Sequence, residues 1–120
     1  MTEKPITHTS DRKLIDELVS HYKKDALNLN PGFQRDSVWK ERDRAKLINS
    51  IVRNYPLPAI FLYRRNENGR LIYDVIDGKQ RLESIFRFMH ILRGRFSAKV
   101  KLPGAEQEEW IDWKKLCKKR

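Results

Sequence analysis

The chain has 120 residues, which suits a single domain, and its formal net charge is +10. No apolar run approaches the roughly 20 residues of a membrane span, and the first residues lack the apolar stretch of a signal peptide. A single cysteine excludes an intrachain disulfide, so a reducing cytoplasm is the expected location.

An amphipathic helix is predicted near the start of the chain, over about residues 10–24. Ser10 or Asp11 can act as its N-cap, and residues 1–9 before it are expected to form a flexible lead-in. Its apolar side chains follow helical spacing: Leu14, Ile15, Leu18, Val19 and Tyr22. Such a face packs against a core, so we assign no chemistry to this helix.

The next segment combines a short strand with an unusual loop. Leu27-Asn28-Leu29 alternates apolar and polar residues, which indicates an edge strand, and Asn30-Pro31-Gly32 predicts a turn. The aromatic residues that follow are expected to anchor the loop to the core, which leaves Gln34 and Arg35 to face a ligand. A packed loop with a surface ion pair between Arg35 and Asp36 explains the same residues equally well.

A second helix and a β-hairpin are predicted for the middle of the chain. The helix covers about residues 40–54, and a Pro-x-Pro segment ends it. Residues 59–63 form an apolar run that indicates a buried strand. Residues 64–70 contain the turn dipeptide Asn68-Gly69, and residues 71–76 indicate the returning strand.

A third helix, a strand and a short closing helix are predicted for the rest of the chain. The third helix covers residues 82–92, and Arg93-Gly94 is expected to end it. Residues 96–102 alternate as in a strand, and residues 110–116 indicate a closing helix. Its two tryptophans can stack on nucleic-acid bases, but we favour a lid over the core.

Polar residues concentrate where the returning strand meets the third helix, in Asp77-Gly78-Lys79-Gln80-Arg81. Such a corner exposes backbone N–H groups at the positive end of a helix dipole, which suits an anion. Asp77 and Gln80 have the spacing of a capping box. A capping box requires neither Gly78 nor cations, which oppose the dipole. We therefore predict a phosphate site, although Gln80 at the Ser/Thr position excludes a Walker A motif.

Two segments together resemble a known family: Phe33-Gln34-Arg35 with Val38-Trp39, and Asp77–Leu82. They are similar to the N-terminal domain of the GmrSD type of restriction endonuclease, whose hallmark is Asp-Gly-Gln-Gln-Arg after Phe-Gln-Arg-x-x-Val-Trp. The resemblance covers roughly residues 10–95. It implies an α+β fold like those of ParB and sulfiredoxin, with a small mixed sheet flanked by helices. We expect one such domain over residues 10–120, which can be a piece of a longer protein.

The resemblance implies a regulatory domain of a bacterial restriction or anti-phage system. This domain is expected to bind a nucleoside triphosphate, and hydrolysis of the bound nucleotide is a further expectation. The nucleotide-binding candidates lie in the two motifs: Gln34, Arg35, Gly78, Lys79, Gln80 and Arg81. Asp77 and Gln80 are the catalytic candidates. Asp77 would cap the helix or hold Mg²⁺, directly or through water.

The chain departs from the family pattern in two respects. Lys79 stands where the hallmark has its first glutamine. If that glutamine orients water or metal, Lys79 prevents hydrolysis; if it contacts only phosphate, Lys79 keeps the role. The family's C-terminal His-Asn-His nuclease has no counterpart here, so we expect cleavage to need a partner nuclease domain or subunit.

Two other functions fit the composition. The net charge of +10 also suits a DNA-binding module without a nucleotide site. In that case Lys114–Arg120 would matter more than Arg81. A protein-interaction domain with a purely structural hallmark is the third interpretation. We expect no membrane partner. We also expect no zinc site, because the histidines and the cysteine lack zinc-ligand spacing.

Overall fold

The computed structural model describes residues 15–30 and 39–118. It confirms the predicted α+β class. The elements in chain order are α1 (Ile15–Lys23), β1 (Leu27–Asn28), α2 (Glu41–Val52), β2 (Phe61–Glu67), β3 (Arg70–Asp77), α3 (Lys79–Phe88), β4 (Ala98–Val100), β5 (Glu109–Ile111) and α4 (Trp113–Lys118). None of the helices in these two stretches combines the length and the apolarity needed to cross a bilayer.

A three-stranded mixed sheet in the order β1-β3-β2 forms the centre of the fold. β1 is parallel to β3, and β2 is antiparallel to it. The predicted hairpin is confirmed, but its strands are longer than expected, because the turn consists only of Asn68 and Gly69. Both residues have positive φ, 55° and 82°, as a two-residue turn of this hand requires.

Strand β2 is an edge strand, and the prediction that its first residues are buried is wrong. Phe61 and Tyr63 are 59% and 56% exposed. Leu62 between them packs against the core. Side chains alternate between the two faces of a strand, so an apolar run can still turn half of its residues outward.

Two apolar clusters form the core, and α3 contributes to both. The first includes Leu82 and Phe86, which are fully buried against β3 and α1. The second surrounds Phe88 and joins α2 to β4 and β5. Because consecutive turns of α3 are fixed in different clusters, the position of its N-terminus is set by the whole fold.

Helix α3 ends at Phe88, so the prediction that it continues to Leu92 is wrong. His90 adopts a positive φ of 66°, which breaks the helical backbone. The main-chain N–H groups of Ile91 and Leu92 both donate to the carbonyl oxygen of Phe86, at 2.7 and 3.2 Å. These bonds close the helix one turn before the expected Arg93-Gly94 end.

The last part of the chain forms an antiparallel β4–β5 pair followed by α4. Strand β5 replaces the first turn of the predicted closing helix, which therefore begins at Trp113. The ring of Trp113 packs edge-on against Phe88, 6.2 Å between centroids, so its role as a lid is confirmed. The lid prediction is wrong for Trp110, which pairs with Lys99 on the outer face and is 62% exposed.

Candidate functional site

The candidate site is the α3 corner, which we define as residues Asp77–Arg81. Asp77 is the last residue of β3 and pairs with Phe61. Gly78 is the N-cap of α3, with φ 96° and ψ 16°, and no side chain caps the helix. The predicted capping box between Asp77 and Gln80 is therefore wrong, because Asp77 is still part of the strand.

Gly78 is required by the fold itself. Its φ lies in the left-handed region, where a side chain is strained. A Cβ at this position would also lie 2.9 Å from Cγ1 and 3.2 Å from Cα of Ile60. The glycine from which we inferred a phosphate site is thus already required by Ile60, a neighbouring residue in the fold.

The side chain of Lys79 is largely buried and is held by the protein. Its Nζ donates a hydrogen bond to Oδ1 of Asn30 at 2.5 Å. The same nitrogen lies 4.0 Å from Oε2 of Glu83, one turn further along α3, and the Lys79 side chain is only 15% exposed. Lys79 therefore adds positive charge to the corner from a fixed position.

Arg81 and Gln80 each have a buried polar atom that no other described residue contacts with a hydrogen bond. Nη2 of Arg81 donates to the carbonyl oxygen of Ala59 at 3.0 Å. Nε of Arg81 and Oε1 of Gln80 are buried and have no hydrogen-bond partner among the described residues. Leaving such atoms unpaired costs free energy, about 1–3 kcal/mol each. A donor and an acceptor therefore remain available in the first turn of α3.

A model of the GmrSD restriction endonuclease N-terminal domain matches residues 15–119. The chain belongs to this family. Comparisons with curated proteins and with solved structures gave no match. Membership assigns the chain to the components of restriction or defence systems, and the match extends past the motifs to include β4, β5 and α4.

The GmrSD hallmark occupies one compact place in this fold. The structure brings Asp77, Gly78, Lys79, Gln80 and Arg81 together where β3 passes into α3. Gln34 and Arg35, from the other motif, lie outside the described residues. Their contribution to the same site stays a prediction.

Asp77 is the metal candidate of this GmrSD domain. Its carboxylate is exposed at the end of β3. Within residues 15–30 and 39–118, no group of three or more His, Cys, Asp or Glu side chains could hold a metal ion. A lone carboxylate suits Mg²⁺ that takes its other ligands from phosphate oxygens and water.

Asp74 supports the α3 corner and was missed by the sequence analysis. It is 9% exposed and accepts hydrogen bonds from Asn28 Nδ2 at 3.1 Å and from Arg65 Nε at 2.8 Å. Asn28 Oδ1 in turn accepts from the main-chain N–H of Asn30, the partner of Lys79. A hydrogen-bonded chain thus runs from β2 across the sheet to α3. A carboxylate inside the apolar β3 run is the sequence signal for it.

The charge of Asp74 is compensated within the sheet. Its hydrogen bond to Arg65, and then the bond from Arg65 to Glu67, raise the pKa of the Arg65 guanidinium. Arg65 therefore stays charged, and the pair joins β2 to β3 in the middle of the hairpin. Through Asn28 and Asn30, Asp74 is connected by hydrogen bonds to Lys79 of the corner.

Proposed function

We propose that this domain binds a nucleoside triphosphate at the α3 corner, as a regulatory part of a restriction or anti-phage system. The observation that supports this most strongly is the buried Nε of Arg81, which has no acceptor among the described residues. A phosphate oxygen would satisfy this donor in a charge-assisted bond. The N–H groups and the dipole at the start of α3 favour an anion at the same place.

The remaining corner residues would complete the site. Lys79, already fixed by Asn30, would neutralise phosphate charge. Oε1 of Gln80 is an acceptor, so it would bind a water or a nucleotide hydroxyl group rather than phosphate. Gln34 and Arg35 are proposed to contact the same nucleotide. Mg²⁺ bound by Asp77 and the phosphates would supply further charge neutralisation.

Hydrolysis, if the domain performs it, would depend on positioning and charge neutralisation. Phosphoryl transfer needs an oriented water and cations around the transferred group, and little covalent chemistry from the protein. Oε1 of Gln80 has no partner among the described residues, so it can accept a hydrogen bond from that water. Arg81 and Lys79 would stabilise the negative charge of the transition state.

Calorimetric titration with ATP, GTP and CTP, with and without Mg²⁺, tests the proposal. We expect saturable binding of at least one nucleotide, and a loss of about 10- to 100-fold in affinity in Arg81→Ala, the size of a charged hydrogen bond. Arg93→Ala removes the same charge from an exposed position outside the corner and is the matched control. Equal affinities of Arg81→Ala and Arg93→Ala would exclude the corner as the nucleotide site.

A DNA-binding module without a nucleotide site is the second candidate function. It is favoured by exposed cations that lie away from the corner. Lys114 and Lys118 on α4 have no ion pair among the described residues, whereas Lys115 pairs with Glu109 at 3.2 Å. Cations that the protein does not neutralise are the ones that can bind phosphates of a nucleic acid.

A further inference from the structure

We propose that single-stranded nucleic acid binds in a groove at the end of α3 opposite the corner, between residues 90–97 and α4. The groove encloses about 810 Å³, within the size range of ligand sites. The lining residues used below are Arg95, Phe96, Trp113, Lys114, Cys117 and Lys118. This inference rests on the nucleic-acid binding of the second candidate function, and it neither requires nor excludes a nucleotide at the corner.

The groove is positively charged. Arg95, Lys114 and Lys118 are exposed and make no ion pair or side-chain hydrogen bond within the described part of the chain. Asp112 also lines the groove, but its Oδ1 accepts from the main-chain N–H of Lys115 at the start of α4. Three cations against one carboxylate that caps a helix leave an excess of positive charge.

The surrounding sequence strengthens this charge. The stretch from Ser84 to Ala105 contains no aspartate or glutamate. Its cations are Arg87, Arg93, Arg95, Lys99 and Lys101. Since surface charges act over about 8–10 Å at physiological salt, the nearer of these residues add to the potential of the groove.

Two aromatic rings give the groove a second property. Phe96 and Trp113 both pack on the buried ring of Phe88, with centroid distances of 5.6 and 6.2 Å, and both remain partly exposed. They are therefore held in place by the core. Aromatic rings beside cations bind single strands, because bases stack on the rings while the cations contact the backbone. The bases of a duplex are stacked on each other and cannot do so.

The lone cysteine provides a direct probe of occupancy. Cys117 is exposed and lines the groove. We would measure its modification by the uncharged reagent N-ethylmaleimide with and without a saturating oligothymidylate of about 16 nucleotides. Bound oligonucleotide should slow the modification several-fold. Binding with an unchanged modification rate would overturn the assignment to this groove, as would the absence of binding at low salt.

Charge reversal provides the second test. Binding should weaken roughly 18-fold between 50 and 200 mM salt, as expected for three single-strand phosphate contacts. In the variant R95E/K114E/K118E, the weakening that these three contacts cause between 50 and 200 mM salt should disappear. Bound oligonucleotide should also no longer protect Cys117. The control K23E/K24E/R64E makes the same charge change at exposed positions on or beside α1 and β2.

The outcomes distinguish the alternatives. Equal losses in the two charge-reversed variants would show binding by overall charge and overturn the proposal. A duplex that binds as tightly and protects Cys117 equally would overturn the single-strand assignment. Titration of R95E/K114E/K118E with nucleotides separates the two sites, because this variant should keep the nucleotide binding proposed for the corner.

Discussion

The cations at the two ends of α3 differ in their exposure and in their bonds to the protein. At the N-terminus, Lys79 and Arg81 are partly buried, and each donates to an oxygen of the protein. Beyond the C-terminus, Arg95 is exposed, as are Lys114 and Lys118 on α4 beside it. The cations of the α3 corner, which are adjacent in the sequence, are thus partly occupied by bonds within the protein. The cations at the other end of α3 are not adjacent in the sequence, and they remain exposed.

This difference changes what a basic motif indicates. Cations in the first turn of a helix oppose its dipole by roughly 0.3–1 kcal/mol, which suggests a bound anion when only the sequence is known. At the α3 corner, Asn30 and the carbonyl of Ala59 offset part of this cost. The stronger argument for a ligand is therefore the unpartnered Nε of Arg81 rather than the presence of Arg81.

The largest expected effect comes from cutting the hydrogen-bonded chain that holds the corner. Asp74→Ala removes a buried carboxylate with two side-chain partners and leaves Arg65 facing a nearly buried gap. We expect a loss of about 3 kcal/mol in the free energy of unfolding, measured by urea denaturation. The matched control is Glu67→Ala, which removes an exposed partner of the same arginine and should cost less than about 1 kcal/mol. Similar losses in both variants would mean that the buried carboxylate of Asp74 stabilises the fold no more than the exposed carboxylate of Glu67 does.

A smaller loss is expected at the turn into α3. Gly78→Ala combines a left-handed backbone with a contact of 2.9 Å to Ile60, so we expect a cost of about 2–3 kcal/mol. Gly69→Ala and Gly104→Ala are the controls, because both have similar φ values, 82° and 83°, and nothing within 4 Å of the added Cβ. They should cost about 1 kcal/mol each. If all three variants lose the same stability in urea, the packing of Gly78 on Ile60 is unimportant.

Much of the fold could be predicted because it depends on local patterns. The apolar spacing of α1 and α2 and the Asn68-Gly69 turn lie within short stretches of sequence. Strand β5 was missed because three residues carry no periodic signal, and their pairing with β4 is decided by contacts elsewhere in the core. The early end of α3 depends on the backbone of His90, for which the sequence shows no glycine or proline.

The site was predictable in position but not in its contacts. Asp77–Arg81 are adjacent in sequence, so any strand-to-helix corner brings them together. The partner of Lys79, Asn30, lies 49 residues away, and the residue that requires Gly78 is Ile60 on the approach to another strand. Both contacts depend on how the sheet and α3 pack. For this reason Gly78, which the fold itself requires, was attributed to a ligand when only the sequence was considered.

The smallest expected effect on stability, and the sharpest test of the corner, comes from restoring the family hallmark with Lys79→Gln. The change removes the bond to Asn30 and the 4.0 Å pair with Glu83, so it should cost about 0.5–1 kcal/mol. Nucleotide affinity should fall a few-fold because a cation is lost. Hydrolysis, measured as phosphate release at saturating nucleotide with Mg²⁺, should rise if the hallmark glutamine orients water.

Lys79→Met is the control for this experiment, because it removes the charge at similar side-chain length and supplies no amide. A higher rate in Lys79→Gln than in Lys79→Met would assign water orientation to the amide at position 79. Equal rates in the two variants would leave Gln80, with its unpartnered Oε1, as the amide of the corner that can orient water. The second result would also mean that an amide at position 79 does not orient the water, so Lys79 deprives this chain of no water-orienting group.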